Sequence, residues 1–193
     1  MNAIEMQHSF DRKSGLGLDT YTVQKLLNQA QDLFIDRYIQ DYDISEHARK
    51  KLITLVKNYS ATPDATGATN ISVNAVFVDL PSDLRRPLQE HVVDSSTIIK
   101  VKPIKYDEYN INKDDPFKKP DSDLVWRLDY GDTSLRHELI TDGVVSIDTY
   151  KLRYIKNPTD IDIFANTSCI LNTTDHEEII DIAVSLIRPS TEN

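Results

Sequence analysis

Apolar side chains between Thr20 and Ile39 recur at spacings of three and four, which places them on one face of a helix. The same period runs from Ser45 to Tyr59, and Ser45 is a residue type that caps helix N-termini. Only the four residues QDYD connect the two patterns. So short a connection predicts that the two helices pack as an antiparallel hairpin.

The hydrophobic period changes to two after residue 70, which predicts β-structure. Residues 71–77 alternate apolar and polar side chains until Pro81 ends the run. Residues 96–104 are rich in β-branched side chains and predict another strand. The intervening segment fits neither pattern cleanly, because Pro87 argues against a continuous helix.

Three further strands are predicted in LVWRLDY, LRHELI and VVSIDTYKLRYI. The turn GDTS joins the first two, and Asp142-Gly143 suits a tight hairpin with positive φ between the second and the third. These connections predict an antiparallel β meander. The segment IDIFA predicts a short edge strand after it.

The chain ends in a pattern typical of a capped, buried helix. Thr174 precedes Glu177 by three residues, the spacing of a capping box, and Pro189 ends the run. Ile182 and Val184 make this helix apolar on most of its sides. Such a helix is buried either in the core of the chain or at a subunit interface.

Residues 1–18 show no helical period and end in SGLGLD, which predicts an extended N-terminal arm. Residues 19–193 then form a single predicted domain. The predicted fold class is α+β, with an N-terminal helical hairpin, an antiparallel β meander and a C-terminal helix.

Composition narrows the classes of function. The 193 residues carry a net charge of −9, which opposes non-specific binding of DNA phosphates. No run approaches the ~20 apolar residues of a membrane span, and the N-terminus lacks the apolar run of a secretory signal.

The residues that carry chemistry form no recognisable constellation. The five histidines lack metal-ligand spacing, and Cys169 has no second cysteine. The pair Asp160 and Asp162 with a histidine leaves a small metal-dependent enzyme as an alternative. The main prediction is a protein without catalytic residues, metal or cofactor.

The segment DPFKKPDSDLVWRLDY combines two prolines, a lysine pair and the single tryptophan. Phe117 and Trp126 flank Lys118 and Lys119, a combination that can bind single-stranded nucleic acid. The surrounding aspartates cancel the basic charge, so a loop pinned by Pro116 and Pro120 with Phe117 packed beneath it is favoured over nucleic-acid binding. A protein contact anchored by Phe117 and Trp126 also fits these residues.

Several stretches occur in an order that resembles a known family: HSFDRKSGLGLD, LLNQAQDLFIDRY, DPFKKPDSDLVWRLDY, YKLRYIKNPTDIDI and HEEIIDIAVSLI. Together they resemble virion structural proteins of crAss-like bacteriophages, over the chain from Phe10 to Arg188. The resemblance implies a head–tail connector subunit that is made in the host bacterial cytoplasm. It further implies a twelve-fold ring beneath the portal protein, through which DNA passes without specific binding.

The resemblance implies no catalytic residues, and its partners are the portal and neighbouring ring or tail proteins. A tail-hub subunit and a cargo protein ejected with the DNA are the alternatives. A closed ring needs two different patches that meet between successive copies. The candidate contact residues lie in the arm, the Pro-bracketed loop and the terminal helix: Phe10, Phe117, Lys118, Lys119, Trp126, Ile182, Val184 and Leu186.

Overall fold

The structure is a computed structural model that describes residues 1–64, 72–131 and 135–187. Its helices are α1 (Ala3–Ser14), α2 (Thr20–Gln40), α3 (Glu46–Lys51), α4 (Tyr106–Asn112) and α5 (His176–Ile187). Its strands are β1 (Val56–Ala61), β2 (Ala75–Asp79), β3 (Leu84–Asp94), β4 (Thr97–Pro103), β5 (Leu124–Gly131), β6 (Leu135–Ile140) and β7 (Thr149–Lys156). The predicted α+β class is confirmed.

The chain divides into two compact units. The helical unit comprises residues 1–56 and 157–193, and thus joins the two ends of the chain. The sheet unit comprises residues 57–156. The single domain predicted for residues 19–193 therefore contributes to both units.

The prediction of an extended arm was wrong, because most of it forms helix α1. Asn2 accepts a hydrogen bond from the Glu5 amide at 2.8 Å, and Glu5 accepts one from the Asn2 amide at 2.8 Å. This reciprocal capping box starts the helix, and Gly15 ends it at a φ of +68°. The helix buries its apolar residues Ala3, Met6 and Phe10.

The N-terminal helices are present, but the second one of the predicted pair is shorter than expected. Helix α3 ends at Lys51, whereas the apolar period predicted a helix to Tyr59. A 3₁₀ turn over Ile53–Leu55 intervenes before β1 begins at Val56. The period failed here because apolar residues of a turn and a strand happened to continue the helical spacing.

Helix α5 packs against α1 and α2 in the helical unit. It begins at His176, directly after a 3₁₀ turn over Thr173–Asp175 that contains the predicted cap Thr174. Ile179, Ile180 and Ala183 are fully buried. One face of α5 is therefore core.

The strands of the described residues form one mixed seven-stranded sheet in the order β1-β7-β3-β4-β5-β6-β2. Strands β5 and β6 pair antiparallel, as predicted. The third strand of the predicted meander does not follow them, because β7 pairs antiparallel with β3. Gly143 has the expected positive φ of +86°, yet its turn leads the chain away from β6 and not into a hairpin.

The sheet curls until its two ends meet. Asp64, which follows β1, forms two backbone hydrogen bonds with Phe77 of β2, at 2.7 and 2.9 Å. The Tyr59 hydroxyl donates to the Asp79 carbonyl at 2.9 Å across the same junction. The inner surface is a core to which most strands contribute: Val78, Val92, Ile99, Val125, Leu139, Tyr150, Leu152 and Tyr154.

Strands β4 and β5 are parallel, which requires a crossover connection between them. Helix α4 and the loop after it form this crossover. Tyr109 of α4 packs on the outer surface of the sheet against Trp126 and Ile140. The hydrophobic pattern did not predict α4, because Tyr109 is its single buried residue and one residue defines no period.

Candidate assembly surfaces

The loop after α4 is held in a tight conformation by Asp115. Its carboxylate accepts the Phe117 amide at 3.0 Å, and its carbonyl accepts the amides of Lys118 and Lys119 at 3.1 and 3.0 Å. Lys118 also pairs with the Asp115 carboxylate at 3.6 Å. At its end Pro120 is buried. These contacts give the loop a defined shape.

Phe117 projects from this loop into solvent. Its side chain is 96% exposed, the highest value among the large apolar residues of the described chain. Lys118 and Lys119 are exposed beside it. An aromatic ring held out by a fixed loop is the kind of residue that anchors a protein contact.

Trp126 lies elsewhere, because it points into the core between α4 and the sheet. Its side chain is 2% exposed and meets the Tyr109 ring edge-on, with 6.3 Å between ring centroids. No surface of Trp126 is left for a neighbouring subunit. The predicted joint anchor of Phe117 and Trp126 therefore separates into an exposed residue and a core residue.

Phe10 also belongs to the core, with 0% exposure in the helical unit. It was a contact candidate because residues 1–18 were expected to be extended. In helix α1 its side chain faces inward, so it supports the helical unit from within.

The three candidates on α5 lie on two different flanks of the helix. Ile182 and Leu186 are four residues apart and share one flank, whereas Val184 is displaced by about half a turn from Ile182. Ile182 and Val184 are partly exposed, and Leu186 is 37% exposed. A contact with another subunit therefore stays a prediction for these residues.

An uncovered area that the sequence pattern did not predict lies on the outer surface of β7, β3 and β4 and is here called the cationic face. Pairing aligns Lys151, His91 and Lys100 in one row across the three strands. The next row contains Arg153 and Gln89, and Lys102 lies two residues beyond Lys100. The alternation of β3 was obscured by Pro87, near which the pairing with β7 shifts register.

The cationic face includes a hollow of about 240 Å³ between β1, β7 and β3. Tyr59, Gln89, His91, Lys151 and Arg153 are among the residues that line it. The lysines at 100, 102 and 151 and Arg153 are exposed. A shallow hollow with cationic walls can accept an aromatic side chain through cation–π contacts.

A cluster of polar side chains lies inside the curled sheet. Arg127 Nη1 donates to Glu90 Oε1 at 2.6 Å and lies 3.3 Å from His137 Nε2. His137 Nδ1 is 3.0 Å from the Tyr150 hydroxyl. Burial and the nearby Arg127 lower the pKa of His137 to about 3, so the imidazole is neutral. With its proton on Nδ1, His137 donates to Tyr150 and accepts from Arg127.

This neutral histidine makes the protein sensitive to mild acid. The unfolded chain takes up a proton near pH 6.5, while the folded chain does so only near pH 3, so the unfolded state binds more protons between these values. We expect the free energy of unfolding to fall by about 2 kcal/mol between pH 7 and pH 5. Urea unfolding followed by Trp126 fluorescence measures it.

The control replaces His137 by Gln, which cannot be protonated, and His47→Gln changes an exposed histidine. We expect a shallower pH slope for His137→Gln and an unchanged slope for His47→Gln. Equal slopes for wild type and His137→Gln would contradict the assignment. Burial also lowers the pKa of His176, so His176 contributes part of the pH slope in both variants.

Cys169 and Asp162, the other side chains considered for chemistry, have surroundings that give them structural roles. Burial raises the pKa of Cys169 to about 11, which keeps its thiol protonated. Asp162 accepts the amides of Phe164 and Ala165 at 2.9 and 3.0 Å, and the predicted edge strand IDIFA reduces to a single bridge to Thr167. Within the described ranges, no cluster of metal-ligating side chains occurs.

No helix of the described chain has the length and apolar character needed to cross a membrane. On the described part of the sheet unit, the structure displays the exposed Phe117 loop and the cationic face.

Comparison with known proteins identifies the class. The family described as phage tail ring protein 3/4 matches residues 4–193. Ring protein 3 of Bacteroides phage crAss001 is 28% identical, over 93% of this chain and 88% of its own length. Ring protein 4/5 of the same phage is 27% identical, over 97% of this chain and 92% of its own length.

The chain belongs to the phage tail ring protein 3/4 family. It is a structural ring protein of a crAss-like phage virion. The predicted family resemblance is confirmed. Because relatives align over nearly the whole chain, both the helical unit and the sheet unit are parts of the ring protein fold.

Proposed function

We propose that this protein is the repeating subunit of a ring in the head–tail connector, placed below the portal and around the DNA channel. Twelve copies would close the ring, and the portal and adjacent ring or tail proteins would be its other partners. The family match over residues 4–193 carries this proposal. The protein has no enzymatic role in it, and no cofactor is required.

The surface features support a role in assembly. Phe117 is 96% exposed on a loop held by Asp115. An exposed aromatic ring does not stabilise an isolated chain, so this position favours a contact with another chain. The net charge of −9 allows DNA to pass the ring without specific binding. Both features fit a subunit whose contacts are with other protein chains.

Symmetry-resolved imaging of the phage particle tests the placement. We expect a twelve-fold ring of this protein directly along the axis below the portal. A ring located only in the distal tail would favour the tail-hub alternative, and copies inside the capsid would favour the cargo alternative. A ring with a different number of copies would revise the stoichiometry alone.

Replacement of Phe117 by Ala tests the loop. We expect a loss of about 30-fold or more in the association constant of purified subunits, because a buried aromatic anchor contributes about 2 kcal/mol or more. Light scattering over a concentration series measures the assembly. The exposed Phe164, at 72%, provides a matched control: Phe164→Ala should assemble as the wild type does.

Unfolding curves of the same variants separate assembly from folding. Phe117→Ala should retain the wild-type unfolding midpoint, since its side chain makes no core contact. A folded Phe117→Ala protein that assembles as well as the wild type would remove Phe117 from the interface.

A further inference from the structure

We propose that the cationic face of one subunit receives the Phe117 loop of the next subunit. This inference rests on the ring function proposed above and assigns the two halves of one interface. A closed ring requires such a heterologous pair, in which two different patches of the same chain meet on successive copies. The sheet unit carries both patches.

The charges of the cationic face are the first argument. Its outward positions on β7, β3 and β4 carry no carboxylate: Thr149, Lys151, Arg153, Gln89, His91, Val93, Ile98, Lys100 and Lys102. Lys102 pairs with Glu108 of α4 at 3.2 Å. Among the described residues, no ion pair engages Lys100, Lys151 or Arg153. A cationic area on a chain of net charge −9 favours an acidic partner, and another copy of this chain is such a partner.

The composition of the Phe117 loop is the second argument. Asp114 and Asp123 are exposed near its two ends, and Asp121 lies close to the second of them. One loop lysine, Lys118, is already paired with Asp115. From Lys113 to Asp123 the loop carries four aspartates against three lysines, so it offers an exposed aromatic ring with a small acidic excess, and the exposed aspartates at its ends complement a hollow with cationic walls.

Shape is the third argument. The hollow of about 240 Å³ is large enough to hold a phenyl ring, and Lys151 and Arg153 at its wall can lie against the ring face. Ile98, which is 70% exposed, adds apolar surface at the far row of the face. Together these features provide an apolar contact with charges at its rim.

Position is the fourth argument. The end of the loop adjoins the β4 edge of the cationic face, where the Lys100 amide donates to the Asp123 carbonyl at 3.2 Å, but the hollow lies farther along the strand order. Helix α4 covers the outer surface of β5 and β6 through Tyr109, Trp126 and Ile140, and the loop residues Lys119 and Pro120 line a separate hollow together with these side chains. The hollow of the cationic face lies at the other end of the strand order, between β1, β7 and β3. Because the loop and the hollow lie on different parts of one unit, the same contact can repeat from each copy to the next.

Charge reversal on each side tests the pairing. We expect Lys151→Glu with Arg153→Glu, or Asp114→Lys with Asp123→Lys, each to weaken association about 30-fold or more. The four substitutions together restore opposite charges across the interface, so their assembly should recover most of this loss. Arg12→Glu with Lys25→Glu changes the same charge on exposed residues of the helical unit and should assemble normally.

The outcomes separate this inference from the ring function. Normal assembly by the face variant, or no recovery in the combined variant, would overturn the pairing and leave the ring function standing. A wild type that stays monomeric up to its solubility limit would also overturn the pairing, while imaging of the particle still decides the ring. Each variant is checked by circular dichroism and an unfolding curve before it is scored.

Nucleic acid is the competing occupant of a cationic face. Fluorescence anisotropy with a labelled DNA duplex distinguishes it, because the acidic chain should not bind duplex at physiological salt. Duplex binding by the wild type that is lost in Lys151→Glu with Arg153→Glu, together with normal assembly of that variant, would assign the face to DNA and reject the protein contact.

Discussion

Replacement of Trp126 by Ala should lower the free energy of unfolding by about 3–5 kcal/mol, the usual cost of removing a large aromatic side chain from a core. Trp126 is 2% exposed and packs between Tyr109 and the strands beneath α4. Its loss leaves a cavity that the crossover segment cannot easily close. Guanidinium unfolding followed by far-ultraviolet circular dichroism measures the change, because the variant lacks the tryptophan probe.

The matched variant is Phe117→Ala in the same segment. It should change the free energy of unfolding by no more than about 0.5 kcal/mol, as is typical of exposed positions. The two aromatics thus separate stability from assembly within ten residues of sequence. A Trp126→Ala protein as stable as the wild type would contradict the placement of this side chain in the core.

The contrast between these two aromatics shows what the sequence alone could reveal of the site. Charge and proline content marked the segment as special, and the structure places one of its two aromatic contact candidates, Phe117, at the surface. Nothing local distinguished Phe117 from Trp126, because burial of Trp126 depends on β5 pairing with β4 and β6. Whether Phe117 contacts another subunit stays a prediction.

The cationic face illustrates a second limit. Lys100, His91 and Lys151 are far apart in the sequence, and only strand pairing brings them into one row. The alternating pattern of β7 was readable, but its partner was misassigned to β6. Strand order depends on contacts between distant segments, and a single sequence contains little information about them.

For the helices, the success of the prediction depended on the length of the apolar pattern. Helix α2 was predicted with nearly correct ends because its apolar stripe repeats through several turns. Helix α1 was missed although Asn2 and Glu5 have capping-box spacing, because its mean polarity hides the stripe of Met6 and Phe10. A short amphipathic helix that completes its core with α5 is defined by tertiary packing more than by its own sequence.

The buried ion pair of Arg127 and Glu90 should be the most sensitive charged contact in the sheet unit. Replacement of Arg127 by Met is expected to lower the free energy of unfolding by about 3–5 kcal/mol at pH 7, because it leaves the Glu90 carboxylate buried without its cation. The side chains of Arg127 and Glu90 are 10% and 8% exposed, so water cannot easily replace the lost partner. Urea unfolding followed by Trp126 fluorescence measures the loss.

Acid should partly rescue this variant. Burial already raises the pKa of Glu90, and Arg127 opposes that rise, so its removal raises the pKa of Glu90 further. A raised folded-state pKa contributes stability at low pH and loses it as the pH rises. Arg127 also lowers the pKa of His137, so its removal weakens the acid sensitivity of the wild type. Both effects reduce the difference in free energy of unfolding between the wild type and Arg127→Met as the pH falls from 7 to 5.

The double variant Arg127→Met with Glu90→Leu separates the ion pair from the space it fills. Replacing both charges with apolar side chains of similar size removes the unpaired carboxylate, so we expect most of the stability at pH 7 to return. Because the double variant lacks the Glu90 carboxylate, any remaining loss in its free energy of unfolding should not depend on protonation of that group. If the double variant were as unstable as Arg127→Met, the loss would come from the contacts of Arg127 with His137 and Asp129, and the carboxylate of Glu90 would not be its cause.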